Sequence, residues 1–578
     1  MTERWSATVV RVVLAAVIVG AVVVAVFLCL GFGPGQIAAM FSHPVSGGTA
    51  PAGQVPAPPF APPGQAPIGK SFTAIDYAVL VVYLIAMLVI GWIASRRIKT
   101  ARHYFVGNQK INYVLVGISL LGSYLSALTM MALSGTSYGE LDWLYIVQLP
   151  CLIITAIVIT RVVLPRYRAE GVLSMYEFLE RRIHVSVRLI ASVAFVVFSV
   201  GRMGLVLYLP ALAFSTVTGV ELWRCIVVTG AVITVYTAMG GIEAVIWNDA
   251  IQVAIIVAGA FATLGYMFYD IGVGRFIEVG LTYNKFRYIE PSLNITKITT
   301  VWLILETIFQ TIRIYGTQQD MTQRYMTTES TAKANRSVWI AILAYIPLGF
   351  IFYFIGTGLF AFYAIHPDPN LPSRPDTIYP YFIVNSLPVG VAGLLIAAIF
   401  AASMSTIDSL MNSSSTVCVE DFMKRLGRKQ RTEAEYLTRA RLLTWLWGVL
   451  TIVMGLVFAW DSSKYTQIVW GKLMAICTNG MVGLMALAFL PFRINKWAAI
   501  IGFAVSYVCL FVMMGANTVG FSVAGLDLSR ICLTLTMGYA VNFLLWPVIG
   551  NTVCFAVAAA MNGVIAKDTL PEERKAQA

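Results

Sequence analysis

Long apolar segments recur along the whole chain, and they restrict its possible folds more than any other feature of the sequence. A helix that crosses a bilayer needs about 20 mostly apolar residues. The sequence contains fourteen such segments: 9–32, 73–95, 112–137, 141–164, 187–217, 223–239, 246–270, 298–317, 337–365, 385–418, 438–460, 464–490, 496–515 and 531–561. This pattern predicts an all-α polytopic membrane protein.

The composition supports that prediction and excludes a soluble enzyme. Hydrophobic residues make up 58% of the 578 residues, and charged residues only 12%. Soluble domains carry about 25% charged residues, so a soluble core could not absorb this much apolar surface. The eight Cys form no CxxC pair and the four His have no metal-ligand spacing, so neither a disulfide framework, a zinc site nor a Cys/His nucleophile is indicated.

Two of the predicted spans differ from the others. Segment 298–317 is the least apolar, because it contains Glu306 and Arg313 among other polar residues. Segment 531–561 is unusually long for one span, and Pro547 could kink it.

Basic and acidic loops alternate along the predicted spans. Lys and Arg are concentrated in segments 95–111, 161–188 and 419–441, whereas 138–142 contains two acids and no base. The positive-inside rule places the basic loops in the cytoplasm, together with the C-terminal tail. The net charge of +12 therefore reflects membrane sidedness and does not indicate a nucleic-acid partner. We expect an integral protein of a bacterial inner (plasma) membrane, in contact with the lipid bilayer.

The first apolar segment needs separate treatment, because residues 1–32 could be a cleaved signal peptide. Its apolar run of about 20 residues is longer than the 7–15 of a signal peptide, which favours a retained anchor. The stretch that follows is rich in Pro, Gly and Ala and is expected to be extended. The predicted organisation is an N-terminal transmembrane anchor (1–43), a Pro/Gly-rich linker (44–70), a transmembrane domain (71–565) and a cytoplasmic tail (566–578).

Polar side chains cluster inside the span that contains residues 397–418. Ser405 lies three residues before Asp408 and four before Ser409, so these three side chains share one helix face. An ionisable residue inside a span is costly and usually functional. Hard oxygen ligands without thiol or imidazole suit a hard cation such as Na⁺. The alternative is packing between helices, for which Ser and Thr are common in membrane bundles.

Two other segments suggest interruptions of helices. Gly240 and Gly241 indicate a short turn before Asp249, which could be either functional or the N-cap of the next span. Segment 118–130 combines glycine with hydroxyl side chains, as a locally unwound helix would, and its freed carbonyls could coordinate an ion. The alternative for this segment is again small-residue packing.

Arg202 lies far inside a long apolar run and requires an anion, a carboxylate of the protein or a water cavity nearby. Its planar fork matches a carboxylate bidentately. The sequence leaves two interpretations open, a ligand for an anionic solute and a structural ion pair with a residue such as Glu306.

Three of these stretches resemble the sodium/solute symporter family, which includes the sodium–glucose, proline, pantothenate and iodide transporters. The matching motifs are GGIEAVIWNDAIQ (240–252), GTQQDMTQRYMTT (316–328) and AASMSTIDSLMNSSSTVCVEDF (401–422), with a weaker match at HYFVGNQ (103–109). The resemblance implies a LeuT-type fold with two inverted five-helix repeats, placed at 112–239 and 246–460. It gives about 13 core spans plus one extra N-terminal span.

The resemblance also implies sodium sites. For the site shared by all members, it implies the carbonyls of Gly122, Leu125 and Ala402 and the hydroxyls of Ser405 and Thr406 as ligands. For a second site found in some members, the matching residues are Asp249, Ser405, Asp408 and Ser409. Gly122 and Asp408 depart from the usual residues of the family at these positions.

Within the family, GRMGLVLYLPALAFS (201–215) is most similar to the sialic-acid branch. The similarity implies that Arg202 receives the carboxylate of the substrate and that Ser126, Thr129 and Gln148 complete the substrate site.

The sequence therefore predicts a transporter and not an enzyme. We expect sodium-coupled symport of a small organic solute that carries a carboxylate, such as sialic acid, by alternating access, with Na⁺ as the coupling ion. The alternatives are symport of a neutral sugar and a transporter-like sensor without net transport. A sensor is expected to carry a soluble output domain, and only about fifteen residues follow the last predicted span.

Overall fold

The computed structural model describes residues 72–96, 100–107, 110–172, 174–427, 431–460, 466–517, 522–523, 526–527, 529–536 and 538–568. The predicted anchor at 1–43, the linker at 44–70 and most of the tail at 566–578 lie outside the described residues.

Helices dominate the described chain, as the apolar segments predict. The first half contains α1 (Ala74–Ser95), α2 (Ala101–Val106), α3 (Tyr113–Tyr124), a π-turn (Leu128–Ala132), α4 (Leu133–Tyr138), a 3-10 turn (Leu144–Val147), α5 (Gln148–Val158), a π-turn (Ile159–Val163), α6 (Leu164–Ala169), α7 (Met175–Arg182), α8 (Val185–Thr218), α9 (Leu222–Ile271) and α10 (Val273–Thr282). The second half contains α11 (Thr300–Thr317), α12 (Gln319–Met326), α13 (Thr331–Ile365), α14 (Pro375–Ser386), α15 (Val391–Val417), a π-turn (Cys418–Lys424), α16 (Glu433–Phe458), α17 (Thr466–Cys477), α18 (Met481–Ala488), α19 (Lys496–Ala516), α20 (Ser529–Leu535) and α21 (Leu545–Asp568). Two short antiparallel strands, β1 (Ser522–Val523) and β2 (Leu526–Asp527), precede α20.

Nine helices of the described chain are long and apolar enough to cross a membrane, or eleven if each of two bent pairs is one span. The predicted segment 464–490 is one of those pairs, because α17 and α18 meet at an angle of 48°. The predicted segment 531–561 is not one helix, since residues 536–544 separate α20 from α21. Pro547 does not kink a helix interior. It lies in the first turn of α21, where proline costs no hydrogen bond.

Interruptions in two helices define the repeats. The chain bends by 55° between α3 and the segment that follows it, and α11 ends at Thr317, before Gln318, whose φ of −86° and ψ of 135° are not helical. Counting each broken helix as one span, five spans begin with α3 and five begin with α11, the second five including the broken pair α11–α12 in addition to the spans counted above. The repeats therefore cover 113–271 and 300–488. The predicted boundaries, 112–239 and 246–460, were wrong because the first of those ranges holds only four spans.

Gly241 separates two spans within α9. Its φ of 61° is in the left-handed region, which glycine adopts without a steric penalty, and it kinks the helix there. The chain thus reverses direction without a long loop, as the Gly240–Gly241 pair predicts.

Helix α15 lies at the centre of the bundle. In its most apolar window 89% of the residues are buried, whereas the values for the other spans run from 33% to 67%. The polar side chains of α15 are therefore enclosed by protein.

Candidate functional site

The break between α3 and the π-turn exposes backbone polar groups inside the bundle. Helix α3 ends at Tyr124, and Leu125 has a φ of −82° and a ψ of 85°, outside the helical region. The helical hydrogen-bond pattern is lost here, so carbonyls near the break are free to accept other partners. The local unwinding predicted for segment 118–130 is therefore present.

Hydroxyl groups of α15 meet these carbonyls. Ser405 Oγ donates a hydrogen bond to the Gly122 carbonyl oxygen at 2.7 Å. Thr406 Oγ1 lies 3.3 Å from the Ser123 carbonyl and 3.4 Å from the carbonyl of Ala402. The broken helix and α15 thus bring together carbonyl and hydroxyl oxygens at a place shielded from solvent.

The donor set fits a sodium ion. Ser405 is fully buried and Thr406 is 1% exposed. Neutral hard oxygens are the ligands that hard cations prefer. Of the predicted ligands, Gly122, Ala402, Ser405 and Thr406 are directly linked by these contacts. Leu125 lies at the break itself, three residues after Gly122.

Asp249 is not a helix N-cap, because it lies about two turns beyond Gly241 inside the helix. It is completely buried, and its Oδ2 atom is 3.0 Å from Nη2 of Arg324, which is also completely buried. Ser119 donates to the same carboxylate. The N-cap alternative was therefore wrong.

Asp408 brings a second buried carboxylate to the same region. Tyr236 Oη donates to its Oδ2 at 2.6 Å, and Ser409 Oγ lies 3.2 Å from its Oδ1. Arg324 also donates to Ser409, so one guanidinium lies between the two parts of the predicted second sodium site. Two carboxylates and one guanidinium leave this cluster with a formal charge of −1.

Sequence reasoning missed Arg324 as a site residue, although it lies within the motif at 316–328. The sequence feature that could have identified it is an arginine inside the motif at 316–328, a segment that is buried in the structure. Its guanidinium is enclosed on every side and donates to Ser119, Asp249 and Ser409.

Arg202 is 3% exposed and is held by the broken segments of both repeats. Its Nη1 donates to Gln318 Oε1 at 3.0 Å and its Nη2 to the Ser123 carbonyl at 3.2 Å. The nearest carboxylate is that of Asp320, at 3.7 Å from Nη1. Glu306 was therefore the wrong partner, because no ion pair joins it to Arg202 in the described chain. A structural ion pair of Arg202 would involve Asp320 instead.

Two of the other predicted substrate residues, Ser126 and Thr129, lie at the same break. Ser126 and Thr129 are 6% and 5% exposed, and the amide of Thr129 donates to the Ser126 carbonyl at 2.9 Å. Gln148 is half-buried at the beginning of α5. No hydrogen bond of the described residues joins Gln148 to Arg202.

Helix α11, which corresponds to the least apolar predicted span, contains several buried polar groups. Buried polar atoms without a hydrogen-bond partner follow one another along this helix and its junction with α12. They are Glu306 Oε2, Thr307 Oγ1, Arg313 Nη1, Tyr315 Oη, Gln318 Nε2 and Asp320 Oδ1. Such groups are costly unless a ligand or water satisfies them. The polar residues that make 298–317 the least apolar segment therefore belong to a helix with buried, unsatisfied polar groups.

Comparison with known families decides the class of the protein. Residues 104–506 match the sequence profile of the sodium:solute symporter family. The chain belongs to this family. It is an integral membrane protein that couples the movement of a solute to sodium, and it is not an enzyme.

Two relatives and one solved structure are similar to this symporter over most of its length. The sodium/sialic acid symporter SiaT of Proteus mirabilis is 31% identical over 78% of this chain and 91% of the relative. The sodium-coupled monocarboxylate transporter 1 of Xenopus laevis is 30% identical over 77% of this chain and 73% of the relative.

The solved structure is that of a Na⁺-coupled sialic acid symporter in a substrate-bound, outward-open state, for which a novel Na⁺ site is described. It is 29% identical, with a TM-score of 0.75 over 86% of this chain and 98% of that chain. The symporter therefore has the predicted LeuT-type fold.

Proposed function

We propose that the solute is an organic acid such as sialic acid and that Arg202 receives its carboxylate. The two relatives are named for acids, a sialic acid and a monocarboxylate. Arg202 is buried beside the broken helix, where a carboxylate could replace the neutral Gln318 as its partner. Ser126, Thr129 and Gln148 would contact the rest of the solute.

The observation that carries the proposal is the shared position of Ser123. Its carbonyl accepts hydrogen bonds from Arg202 of the solute site and Thr406 of the shared sodium site. A sodium ion bound by Gly122, Leu125, Ala402, Ser405 and Thr406 would fix the backbone on which Arg202 rests. Binding of one ligand then lowers the cost of ordering the site for the other, which is the condition for coupled binding.

A second sodium ion would be held by Asp249, Ser405, Asp408 and Ser409. The support is the formal charge of −1 on the cluster of Asp249, Asp408 and Arg324, because a monovalent cation would neutralise it. The novel Na⁺ site described for the solved symporter agrees with more than one ion per cycle.

The number of sodium ions sets the concentrating power of the transporter. Each charge that moves inward gains about 2.3 kcal/mol per 100 mV of membrane potential. For an acid with one negative charge, one ion makes transport electroneutral and the potential adds nothing, whereas a second ion moves one net charge and supports roughly 50-fold accumulation. A neutral solute would reach that ratio with one ion.

The proposed orientation places the basic loops and the C-terminus in the cytoplasm of a bacterium, with the protein in the inner membrane. The concentration of Lys and Arg in 95–111, 161–188 and 419–441 supports it. An anchor at 1–43 and a linker at 44–70 would precede the symporter domain at 71–565.

Uptake into proteoliposomes tests the proposed function. The full chain is reconstituted, and radiolabelled sialic acid, other carboxylated sugars, neutral sugars and proline are offered with and without an inward sodium gradient. Sodium-dependent accumulation of an acid is expected. Accumulation of neutral sugars alone would favour the sugar alternative, and sodium-dependent binding without accumulation would favour a sensor.

A further inference from the structure

A second buried guanidinium lies close to Arg202 and lacks an anionic partner. Arg313 of α11 is 3% exposed. Its Nη2 contacts the sulfur of Met474, its Nη1 has no hydrogen-bond partner, and its guanidinium lies 5.1 Å from the centre of the Phe198 ring. Within the described part of the chain, no carboxylate lies within 4.0 Å of it.

These contacts do not compensate for the burial of a full positive charge. A thioether sulfur is a weak acceptor, and a phenyl ring contributes much less than the carboxylate partner that a buried charge normally requires. Five N–H donors in a shielded place thus have very few acceptors. Such an arrangement is expected where a bound oxyanion completes the site.

The neighbouring carboxylates do not supply this anion. Glu306 lies two helical turns from Arg313 on the same helix and acts on its charge from a distance, but no ion pair joins the two side chains in the described chain. Asp320 lies 3.7 Å from Arg202 and forms no ion pair with Arg313. The missing partner therefore comes from outside the described residues.

Arg313 lies close to Arg202, because both contact residues of α8 and α17. On α8, Phe198 beneath Arg313 is one turn from Arg202 itself. On α17, Met474 beside Arg313 is one turn from Trp470, whose ring centre lies 5.4 Å from the Arg202 guanidinium. Residues four apart on a helix share a face, so the two guanidinium groups follow each other about one turn apart between α8, α11 and α17.

We propose that Arg313 is a second anion-binding residue of the solute site and that the solute carries a second oxyanion, as in a dicarboxylate. This inference rests on the proposed function, because Arg202 is the residue that holds the first carboxylate. The distance of about one helical turn between the guanidinium groups favours acids whose two carboxylates are separated by a short chain.

Matched pairs of acids test this inference on the unaltered protein. Succinate, glutarate and adipate are each compared with their half-amides, which have nearly the same size but one carboxylate less. Binding to the purified full chain is measured in the presence of sodium, with sialic acid measured in parallel. At least one diacid is expected to bind about tenfold or more tightly than its half-amide, because charge-assisted hydrogen bonds exceed neutral ones by that order.

Variants assign the preference to one residue. Arg313→Gln is expected to reduce the ratio between diacid and half-amide to about one, and Arg313→Lys to leave it between one and the value of the unaltered protein, because the charge remains while the fork is lost. Arg336→Gln, which removes an exposed arginine on α13, is the control and should leave the ratio unchanged.

The two proposals fail in different ways. If sialic acid binds with sodium but no diacid exceeds its half-amide in the unaltered protein, the second anion site is overturned and the proposed function stands. If the preference exists but persists in Arg313→Gln, Arg313 is not its cause and the inference is again overturned. If no acid of either kind binds, the proposed function fails with it.

Discussion

Arg202 and Thr406 donate to the same oxygen atom, the carbonyl of Ser123, at 3.2 and 3.3 Å. They belong to two different helices, α8 and α15, and the acceptor belongs to the broken helix between them. A shift of the broken helix by a fraction of an ångström would therefore change both contacts together. The proposed solute and sodium sites are therefore connected through one peptide unit.

Removal of either hydroxyl from the shared sodium site is expected to weaken sodium binding. Ser405→Ala and Thr406→Ala each delete one ligand from an ion with few ligands, so the sodium concentration for half-maximal uptake should rise about 5- to 100-fold. Thr416→Ala is a matched control, because its hydroxyl donates only to the Asn412 carbonyl of its own helix. An unchanged sodium dependence in both variants, at normal surface expression, would remove this site from the account.

The two acidic residues of the second site should respond differently to the loss of their charge. Asp408→Asn is expected to lower the Hill coefficient for sodium from near 2 to near 1, because it removes a charged ligand of the second ion. Its stability should change little, because Asp408 forms no ion pair with Arg324 in the described chain. Asp249→Asn should also lose stability, by about 3–5 kcal/mol, because it leaves a buried arginine unpaired. Sodium titrations of uptake, together with thermal unfolding in detergent, measure both effects. A coefficient near 1 in the unaltered protein that does not change in Asp249→Asn would contradict a second ion.

Arg202 is expected to determine the substrate class. Arg202→Ala should abolish binding of the acid while sodium binding remains measurable, and Arg202→Lys should be poorly active because the bidentate fork is lost. If Arg202 were only the structural partner of Asp320, its removal would leave a buried carboxylate unpaired and lower stability for every substrate alike.

Thermal-shift titrations with solute and with sodium separate these outcomes for Arg202. Arg224→Ala is the control, because this arginine is 59% exposed and its ion pair on the surface contributes little. A stable Arg202→Ala protein that responds normally to the native solute would exclude the role in solute binding.

The stability of the basic end of the bundle is expected to depend on pH through Glu180 of α7. Burial alone would raise the pKa of Glu180, but hydrogen bonds from Arg188 and Arg425 outweigh it and hold the pKa below its usual value of 4.5. Since the pKa in the folded state is depressed, the stabilisation is complete above about pH 4.5 and is lost as the pH falls through the folded pKa. In Glu180→Gln, the decline of the unfolding temperature below pH 4.5 should therefore be shallower. If the unfolding temperature declines equally steeply below pH 4.5 in both proteins, the ion pairs of Glu180 with Arg188 and Arg425 do not contribute to stability.

The order of the spans and the places where helices break could be predicted from local sequence. Spans can be predicted from apolar runs because the free energy of moving a helix into lipid depends on its own residues, whatever packs against it. The Gly240–Gly241 turn and the unwound segment after Gly122 follow from glycine and hydroxyl residues at those positions. The end of α20 was missed because residues 536–544 are apolar enough to resemble part of a span.

The partners of the charged residues could not be predicted, because they depend on how helices pack. Glu306 was the expected partner of Arg202, yet the bend at Gln318 turns Gln318 and Asp320 toward it. Arg324 reaches Asp249 across 75 residues of sequence, and Ser405 reaches Gly122 across 283. Hydropathy and residue type were enough to show which residues lie in the membrane and which of them are polar. Which polar groups meet depends on how the helices pack, because a hydrogen bond requires two groups within about 3 Å and hydropathy carries no information about that distance.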